Sequence, residues 1–279
     1  MLAQGSTYVR IFDVAHGFCA YLAAESGNIM MIDCSHNDST QFYPASYFLR
    51  IGCTGIERFF VTNYDEDHIS GLPYFRSLHN RMPISILHRN TSISADQLRA
   101  LKKQSGPIGD GMNALLTMID QYAGEVTNAP VYPNVYYHVA WNDYPIFSDT
   151  NNLSLVLFVR YKGISICFPG DLEKAGWLEL LKNQRFRDHL SAVNVFVASH
   201  HGRESGYCKE VFGICNPDIV IISDESIKYE TQEVNYSQHA IGIRWNNTDN
   251  LKKVLTTRNN GMITITAVGE TGYHVQASS

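Results

Sequence analysis

Residues 62–71 read TNYDEDHISG and begin where the apolar run 58–62 ends. Three carboxylates and one histidine occupy the consecutive positions 65–68, directly after a run that predicts a buried strand. Like charges at this spacing repel one another unless a cation or a basic group lies near them. The alternative interpretation is an acidic turn that caps the helix after it, with Asp67 or Ser70 as the capping residue. The stretch therefore indicates a cation site or a helix start.

Two other polar loops follow apolar runs in the same way. Gly170-Asp171 follows the run 164–168, and His200-His201 follows the run 193–198. The first of these is by itself an ordinary turn before a helix. Adjacent histidines at the end of a strand are uncommon, however, and imidazole is a common ligand of divalent metals. Together the three loops predict a hydrolytic metal site with carboxylate and imidazole ligands, because loops at strand ends meet at one rim of a sheet.

The predicted elements form two similar halves, each with strands, a polar loop, a helix and a further strand. The first half has a helix at 42–49 and strands at 8–14, 18–23, 29–33 and 58–62. The second half has a helix at 173–181 and strands at 153–161, 164–168, 193–198 and 219–223. Between and after them we expect helices at 95–103 and 112–122 and strands at 83–87, 253–257, 262–267 and 273–276. No linker or repeat separates the halves, so residues 1–279 are expected to form one α/β domain.

The composition is that of an ordinary globular protein, with 44% hydrophobic and 18% charged residues. A net charge of -5 argues against a strongly basic surface of the kind that binds long duplex DNA. The chain has no signal-like start and no unbroken apolar stretch of about 18 residues, so no membrane association is expected. The six cysteines lie in separate apolar contexts and predict free buried thiols. These features indicate a cytoplasmic protein.

Taken in order, the polar loops resemble the metallo-β-lactamase superfamily and, within it, the ComEC-like branch. The superfamily loop reads Thr-His-x-His-x-Asp-His-x-x-Gly, and residues 62–71 keep its Asp67, His68 and Gly71. Asn63 replaces the first histidine, and Asp65 replaces the second, as it does in the ComEC-like branch. The resemblance implies a four-layer αββα sandwich of metallo-β-lactamase type.

Other segments resemble the same branch in the same order. FDVAHGF at 12–18 is similar to its Leu-Asp-Val-Gly-Gln-Gly-Asp, with Phe18 in place of the last aspartate, and MIDC at 31–34 to its Leu-Ile-Asp-Thr-Gly. The further matches are NNLSLV at 151–156 with Asn-x-x-Ser-Leu-Val, PGD at 169–171 with Thr-Gly-Asp, and SHHG at 199–202 with Pro-His-His-Gly. The resemblance spans residue 9 to the closing strands and leaves residues 84–141 unmatched.

The resemblance implies two neighbouring metal positions. One keeps its ligands, which are Asp67, His68, a bridging Asp171 and either His200 or His201. The other is rewritten and consists of Asn63, Asp65 and Asn152. Oxygen ligands at this second position favour Mn²⁺ or Mg²⁺, with Zn²⁺ as the alternative, and a neutral amide lowers the affinity.

The function that the branch implies is hydrolysis of phosphodiester bonds in nucleic acid or a nucleotide by a metal-activated water. Asp67 would orient the water and Asp171 would bridge the metals, so both are the candidate catalytic residues. Arg203 and His239 are candidate substrate contacts, and the alternative for each is an ordinary structural or surface role. Two other functions stay open: a hydrolase of another ester or thioester, and a domain that has lost catalysis and binds a nucleotide or a partner protein.

Overall fold

The computed structural model describes residues 7–225, 230–245 and 250–278. Its first part contains five strands and three short helices. The strands are β1 (Tyr8–Ile11), β2 (Ala20–Ala23), β3 (Ile29–Ile32), β4 (Ile56–Phe60) and β5 (Ile84–His88). The helices are α1 (Pro44–Arg50), α2 (Glu66–Ile69) and α3 (Leu72–Ser77).

The middle of the chain adds two longer helices, α4 (Ala95–Ser105) and α5 (Asp110–Gln121), before the strands resume. These strands are β6 (Val135–Ala140), β7 (Val156–Tyr161), β8 (Ile164–Phe168), β9 (Val195–Val197) and β10 (Ile219–Ile222). The helices among them are α6 (Lys174–Leu180), α7 (Gln184–Ser191) and α8 (Glu233–Ser237). The last elements are β11 (Ile243–Arg244), β12 (Leu251–Lys252), β13 (Val254–Thr256), α9 (Thr257–Asn260), β14 (Met262–Val268) and β15 (Gly272–Ser278).

Two mixed sheets carry the fold. The larger has the strand order β15-β14-β1-β2-β3-β4-β5, and the smaller has the order β13-β10-β9-β8-β7-β6. In the larger sheet β3, β4 and β5 are parallel and the remaining pairs are antiparallel. In the smaller sheet β8, β9, β10 and β13 are parallel, while β6, β7 and β8 pair antiparallel. Strands β11 and β12 form a separate antiparallel pair.

Each sheet is covered on both faces. Ile29 and Met31 of β3 pack into a core with α1, α3, α4 and α5, whereas Met30 and Ile32 pack into a core shared with the smaller sheet. Strand β10 alternates in the same way between the shared core and a core under α6, α7 and α8. This alternation explains the continuous apolar sequences of both strands, because a strand that is covered on both faces needs apolar residues at every position. The predicted four-layer αββα sandwich is confirmed.

Several elements were not expected from the sequence, among them strand β6 and helix α7. The sequence analysis predicted no element over residues 128–141, but Val135–Ala140 forms the edge strand β6. Helix α7 was missed because only Phe186 and Leu190 of its eight residues are buried, which leaves too little apolar periodicity to detect. All six cysteines are free and buried, as the sequence predicted. Among the described residues, no helix has the length and apolar character needed to cross a membrane.

The parallel strands place the polar loops together. The loop after β4, the loop after β8 and the loop after β9 all follow carboxyl ends of parallel strands. The two sheets face one another across the shared core, so these loops meet at one rim of the sandwich.

Candidate metal centre

Four side chains from the three polar loops converge, and we call them the Asp–His cluster: Asp67, His68, Asp171 and His201. Their potential ligand atoms all lie within 4.8 Å of one another. His68 Nε2 is 2.9 Å from Asp171 Oδ1, while His201 Nε2 is 3.3 Å from Asp67 Oδ2 and 3.6 Å from Asp171 Oδ1. Imidazole nitrogens and carboxylate oxygens at this spacing are the donor set of a divalent metal site.

A buried carboxylate orients the ring of His68. Nδ1 of His68 donates to Oδ2 of Asp33 at 2.8 Å, because an ionised carboxylate only accepts. Asp33 is fully buried, and it also accepts hydrogen bonds from the amide and the hydroxyl of Thr62. With Nδ1 occupied in this way, Nε2 is the atom that His68 presents to the cluster. A carboxylate behind a histidine is the usual outer support of a metal-binding imidazole.

His201 presents a nitrogen that has no hydrogen-bond partner among the described residues. Its Nδ1 donates to the carbonyl oxygen of Ser223 at 3.0 Å, which leaves the lone pair on Nε2. That Nε2 is buried, and it meets hydrogen-bond geometry with none of the described residues. An unsatisfied buried polar atom costs about 1–3 kcal/mol. A cation between His201, Asp67 and Asp171 would satisfy it, so the residues present fit a divalent metal.

The charges around the cluster keep its carboxylates ionised. Burial alone would raise the pKa of Asp67, but the imidazoles of His16, His201 and His68 beside it outweigh burial and lower that pKa strongly. Burial opposes the same shift at Asp171, where His68 and His201 lower the pKa. For His68 the burial that would lower its pKa is outweighed by Asp171 and Asp33, which raise it. Ionised carboxylates are the form that ligates a metal.

His16 contacts the cluster from the turn after β1. Its Nε2 lies 3.0 Å from Asp67 Oδ2, and its ring centroid lies 4.8 Å from that of His201. Gly17 allows this approach, since its φ is +143° and an added Cβ would lie 2.5 Å from the carbonyl oxygen of Asp67. Only the resemblance of residues 12–18 pointed to this contact, because His16 stands there where the branch has glutamine.

The histidine pair divides between two roles. Both residues have a positive φ, 50° at His200 and 55° at His201, which turns the two rings in different directions. His200 Nε2 lies 2.9 Å from Arg203 Nη1 and 3.9 Å from Asp171 Oδ2, and its Nδ1 lies 2.9 Å from the hydroxyl of Ser205. The structure thus brings His201, and not His200, into the Asp–His cluster. Arg203 connects the pair to the first loop, because its Nη2 lies 3.0 Å from His16 Nε2.

The remaining predicted residues lie outside the cluster. Asn63 and Asn152 are buried, and their side chains form hydrogen bonds with Ser154 and Asp149. Asp65 forms an ion pair with Lys102 at 2.6 Å. His239 stacks on Phe212 with a centroid distance of 4.4 Å, and its Nε2 lies 2.7 Å from the hydroxyl of Tyr207. These contacts give His239 a structural place beside the outer core of the smaller sheet.

Two further residues near the cluster were missed in the sequence. Ser223, at the end of β10, supplies the carbonyl that orients His201. The next residue, Asp224, is buried and pairs with Arg258 at 3.1 Å, and burial raises its pKa to about 6. Their position directly after a parallel strand is the signal that could have found them. Phe18 and Phe168, whose ring centroids lie 6.0 Å apart, line the cavity beside the cluster and form its apolar wall.

No protein-family model matches this chain, and no curated protein matches it. Solved structures match it at low sequence identity. A protein from Thermotoga maritima, assigned as a zinc-dependent hydrolase of the metallo-β-lactamase superfamily, is 10% identical with a TM-score of 0.42, and the match covers 89% of this chain and 97% of that one. A diphosphatase of the PhnP family is 10% identical with a TM-score of 0.44, covering 93% of this chain and 98% of that one. CmlA, a diiron β-hydroxylase from Streptomyces venezuelae, is 9% identical with a TM-score of 0.45, and the match covers 79% of this chain and 45% of CmlA.

The layers and the rim of the sandwich together define its architecture. Two mixed sheets share one core, helices cover both outer faces, and the polar loops gather where parallel strands end. The chain is therefore a four-layer αββα sandwich.

Proposed function

We propose that this chain is a metal-dependent hydrolase that cleaves phosphodiester bonds in nucleic acid or a nucleotide. The observation that carries the proposal is the Asp–His cluster, in which the buried Nε2 of His201 has no hydrogen-bond partner among the described residues. Carboxylates brought together in a largely buried group are costly unless positive charge lies beside them, and a divalent cation would supply it. The residues that would hold it are Asp67, His68, Asp171 and His201.

A divalent cation bound there would act as a Lewis acid and lower the pKa of a water molecule towards neutrality. Two imidazoles and two carboxylates suit Zn²⁺ and Mn²⁺ alike, so both ions belong in the test. The protein supplies the remaining parts. The buried carboxylate of Asp171 would bind the cation from the interior of the protein. The carboxylate of Asp67 is about one-fifth exposed, so water can reach it and donate a hydrogen bond to it.

The positions of Arg203 and His16 favour an anionic substrate. Both lie at the edge of the cluster, where Arg203 contacts the rings of His16 and His200. A guanidinium matches the oxygens of a phosphate with two parallel hydrogen bonds, which makes Arg203 the group that would orient the scissile phosphate. A net charge of -5 favours a nucleotide or a single strand over long duplex DNA.

The test is cleavage of bis(p-nitrophenyl) phosphate by the purified protein with Mn²⁺ or Zn²⁺, with p-nitrophenyl acetate and a thioester as competing substrate classes. Asp67→Asn and Asp171→Asn are expected to lower the rate at least 100-fold. Asp188→Asn, which makes the same change on the exposed face of α7, is the matched control and should keep full activity. A larger rate enhancement over the uncatalysed reaction for the acetate or the thioester than for the phosphodiester would reject the proposed substrate class. A protein that bound no metal and cleaved nothing would reject the hydrolase proposal and favour an interaction domain.

A further inference from the structure

Asp65 lies two residues before Asp67, yet its carboxylate faces a different partner. Lys102 Nζ is 2.6 Å from Oδ1 of Asp65, and the hydroxyl of Thr150 donates to the same oxygen at 2.9 Å. The side chains of Lys102 and Asp65 are 20% and 35% exposed, so water screens this ion pair only in part. Lys102 belongs to α4, within the segment 84–141 that matches no motif of the resembled branch.

Asn63 is occupied at both ends of its amide. Its Oδ1 accepts from the backbone amide of Asp65 at 2.8 Å. Its Nδ2 donates to the hydroxyl of Ser154 at 3.0 Å and lies 3.3 Å from the carbonyl oxygen of Thr150. An amide can ligate a metal only through its oxygen. Binding through Asn63 would therefore bring a metal to an oxygen that already accepts from the part-buried amide of Asp65.

Asn152 is occupied in the same way. Its Oδ1 accepts from the backbone amide of Gly176 at 2.8 Å, and its Nδ2 lies 3.1 Å from Oδ1 of Asp149. The side chain of Asn152 approaches α6 closely, since a Cβ added at Gly176 would lie 2.6 Å from Oδ1 of Asn152. In each of the three residues implied for the second metal position, one side-chain oxygen thus takes part in a hydrogen bond or an ion pair.

We infer that the chain holds a single divalent cation, at the Asp–His cluster, and that the Lys102 ammonium bound to Asp65 supplies the positive charge that a second cation would bring. The inference rests on the proposed cation site, and it adds the number of ions and the residue that replaces one of them. The contrast within one loop carries it. Asp67 faces a buried imidazole nitrogen that has no hydrogen-bond partner in the described part of the chain, whereas Asp65, two residues earlier, faces an ammonium that neutralises it.

The first experiment counts Mn²⁺ per chain, by elemental analysis after equilibrium dialysis and by electron paramagnetic resonance titration. One equivalent is expected. Two equivalents would overturn the inference and leave the proposed metal site standing, whereas no bound metal would overturn both.

Asp65→Asn and Asp67→Asn form a matched pair, because the same isosteric change is made two residues apart in one loop. Asp67→Asn is expected to weaken Mn²⁺ binding at least tenfold, and Asp65→Asn by less than twofold. Loss of Mn²⁺ affinity in Asp65→Asn would overturn the inference. Thermal melting of both variants confirms that each is folded before the metal is counted.

Lys102→Ala tests the role of the ammonium itself. Without it the carboxylate of Asp65 becomes available, so a second and weaker equivalent of Mn²⁺ is expected at high Mn²⁺ concentration. That equivalent should disappear in the double variant Lys102→Ala/Asp65→Asn. A Lys102→Ala protein that still bound only one Mn²⁺ would overturn the assignment of Lys102.

Discussion

Nδ1 of His68 lies 2.8 Å from Oδ2 of Asp33, a carboxylate with no solvent exposure at the end of β3. This pair joins two neighbouring parallel strands of the larger sheet, since His68 follows β4. The contact fixes which nitrogen of His68 faces the cluster. A residue that would not touch a bound metal thereby controls the geometry of one that would.

Asp33→Asn removes this control. Asparagine keeps the size of the side chain and tolerates the φ of +53° at this position, so the fold should survive. The amide no longer stabilises the Nδ1–H form of His68 as a carboxylate does, and metal affinity is expected to fall about 10–100-fold. Mn²⁺ titration measures it, with Asp38→Asn, an exposed carboxylate, as the control. Unchanged affinity in Asp33→Asn would show that the ring of His68 is held by other contacts.

Gly17→Ala is expected to destabilise the protein more than Gly52→Ala. Both glycines have a positive φ, but a Cβ at Gly17 would lie 2.3 Å from Ser35 Oγ and 2.5 Å from the carbonyl oxygen of Asp67, while Gly52 has nothing within 4 Å. Backbone strain alone costs about 1–2 kcal/mol, and the clash adds to it at Gly17. Urea unfolding of the two variants measures the difference. Equal losses would mean that the turn at 15–17 moves without disturbing α2.

Glu66→Ala is expected to loosen the start of α5. Oε1 of Glu66 accepts from the amide of Met112 at 2.9 Å, and Oε2 accepts from the amide of Gly111 at 3.1 Å. A carboxylate at a helix start satisfies free amides and interacts favourably with the helix dipole, so its loss should cost about 0.5–2 kcal/mol. Glu66→Gln keeps an acceptor oxygen without the charge and should lie between the wild type and Glu66→Ala. Urea unfolding measures the free energy of unfolding of the wild type and both variants. An unchanged free energy of unfolding in Glu66→Ala would refute the capping role.

His88 makes stability depend on pH. Burial, together with the charge of Arg58, lowers the pKa of His88 to about 4, and its ring stacks on Phe60 at 4.3 Å. In the unfolded chain its pKa is about 6.5, so between these values the unfolded state binds more protons. The contribution to stability is complete above pH 6.5 and is lost as the pH falls towards 4, by up to about 3 kcal/mol.

The measurement for His88 is the free energy of unfolding from pH 7.5 to pH 4 for the wild type and for His88→Gln. The variant is expected to lose less stability in acid, because its side chain does not titrate and can still accept the hydrogen bond that Arg58 Nη1 donates to His88 Nε2 at 2.9 Å. Parallel profiles for the two proteins would contradict the prediction.

The fold was predictable because its signals are local. Runs such as Ile29–Ile32 and Ile219–Ile222 are apolar at every position, which indicates strands covered on both faces, and each ends at a polar loop or turn. The segments with weak signals were those on the surface. Strand β6 lies at the edge of its sheet with Tyr136 71% exposed, so its sequence does not carry the pattern of a buried strand.

The candidate site was predictable only as a set of loops. Asp65, Glu66 and Asp67 are adjacent in the sequence, but the structure gives each a different partner: Lys102, the start of α5, and the rings of His16 and His201. The turn geometry and the helices of residues 84–141 decide this division, and neither is encoded in the loop itself. For the same reason the sequence left His200 and His201 as alternatives, since two positive φ values separate their rings. Metal binding by these residues stays a prediction.

The Asp–His cluster draws its members from both sheets. Asp67 and His68 follow a strand of the larger sheet, and Asp171 and His201 follow strands of the smaller one. His68 and Asp171 meet across 103 residues of sequence. An ion held here would act as a removable cross-link that closes a long loop of chain, so the two sheets could not separate without first releasing it. The free energy of unfolding of the whole sandwich would then rise with the concentration of free metal.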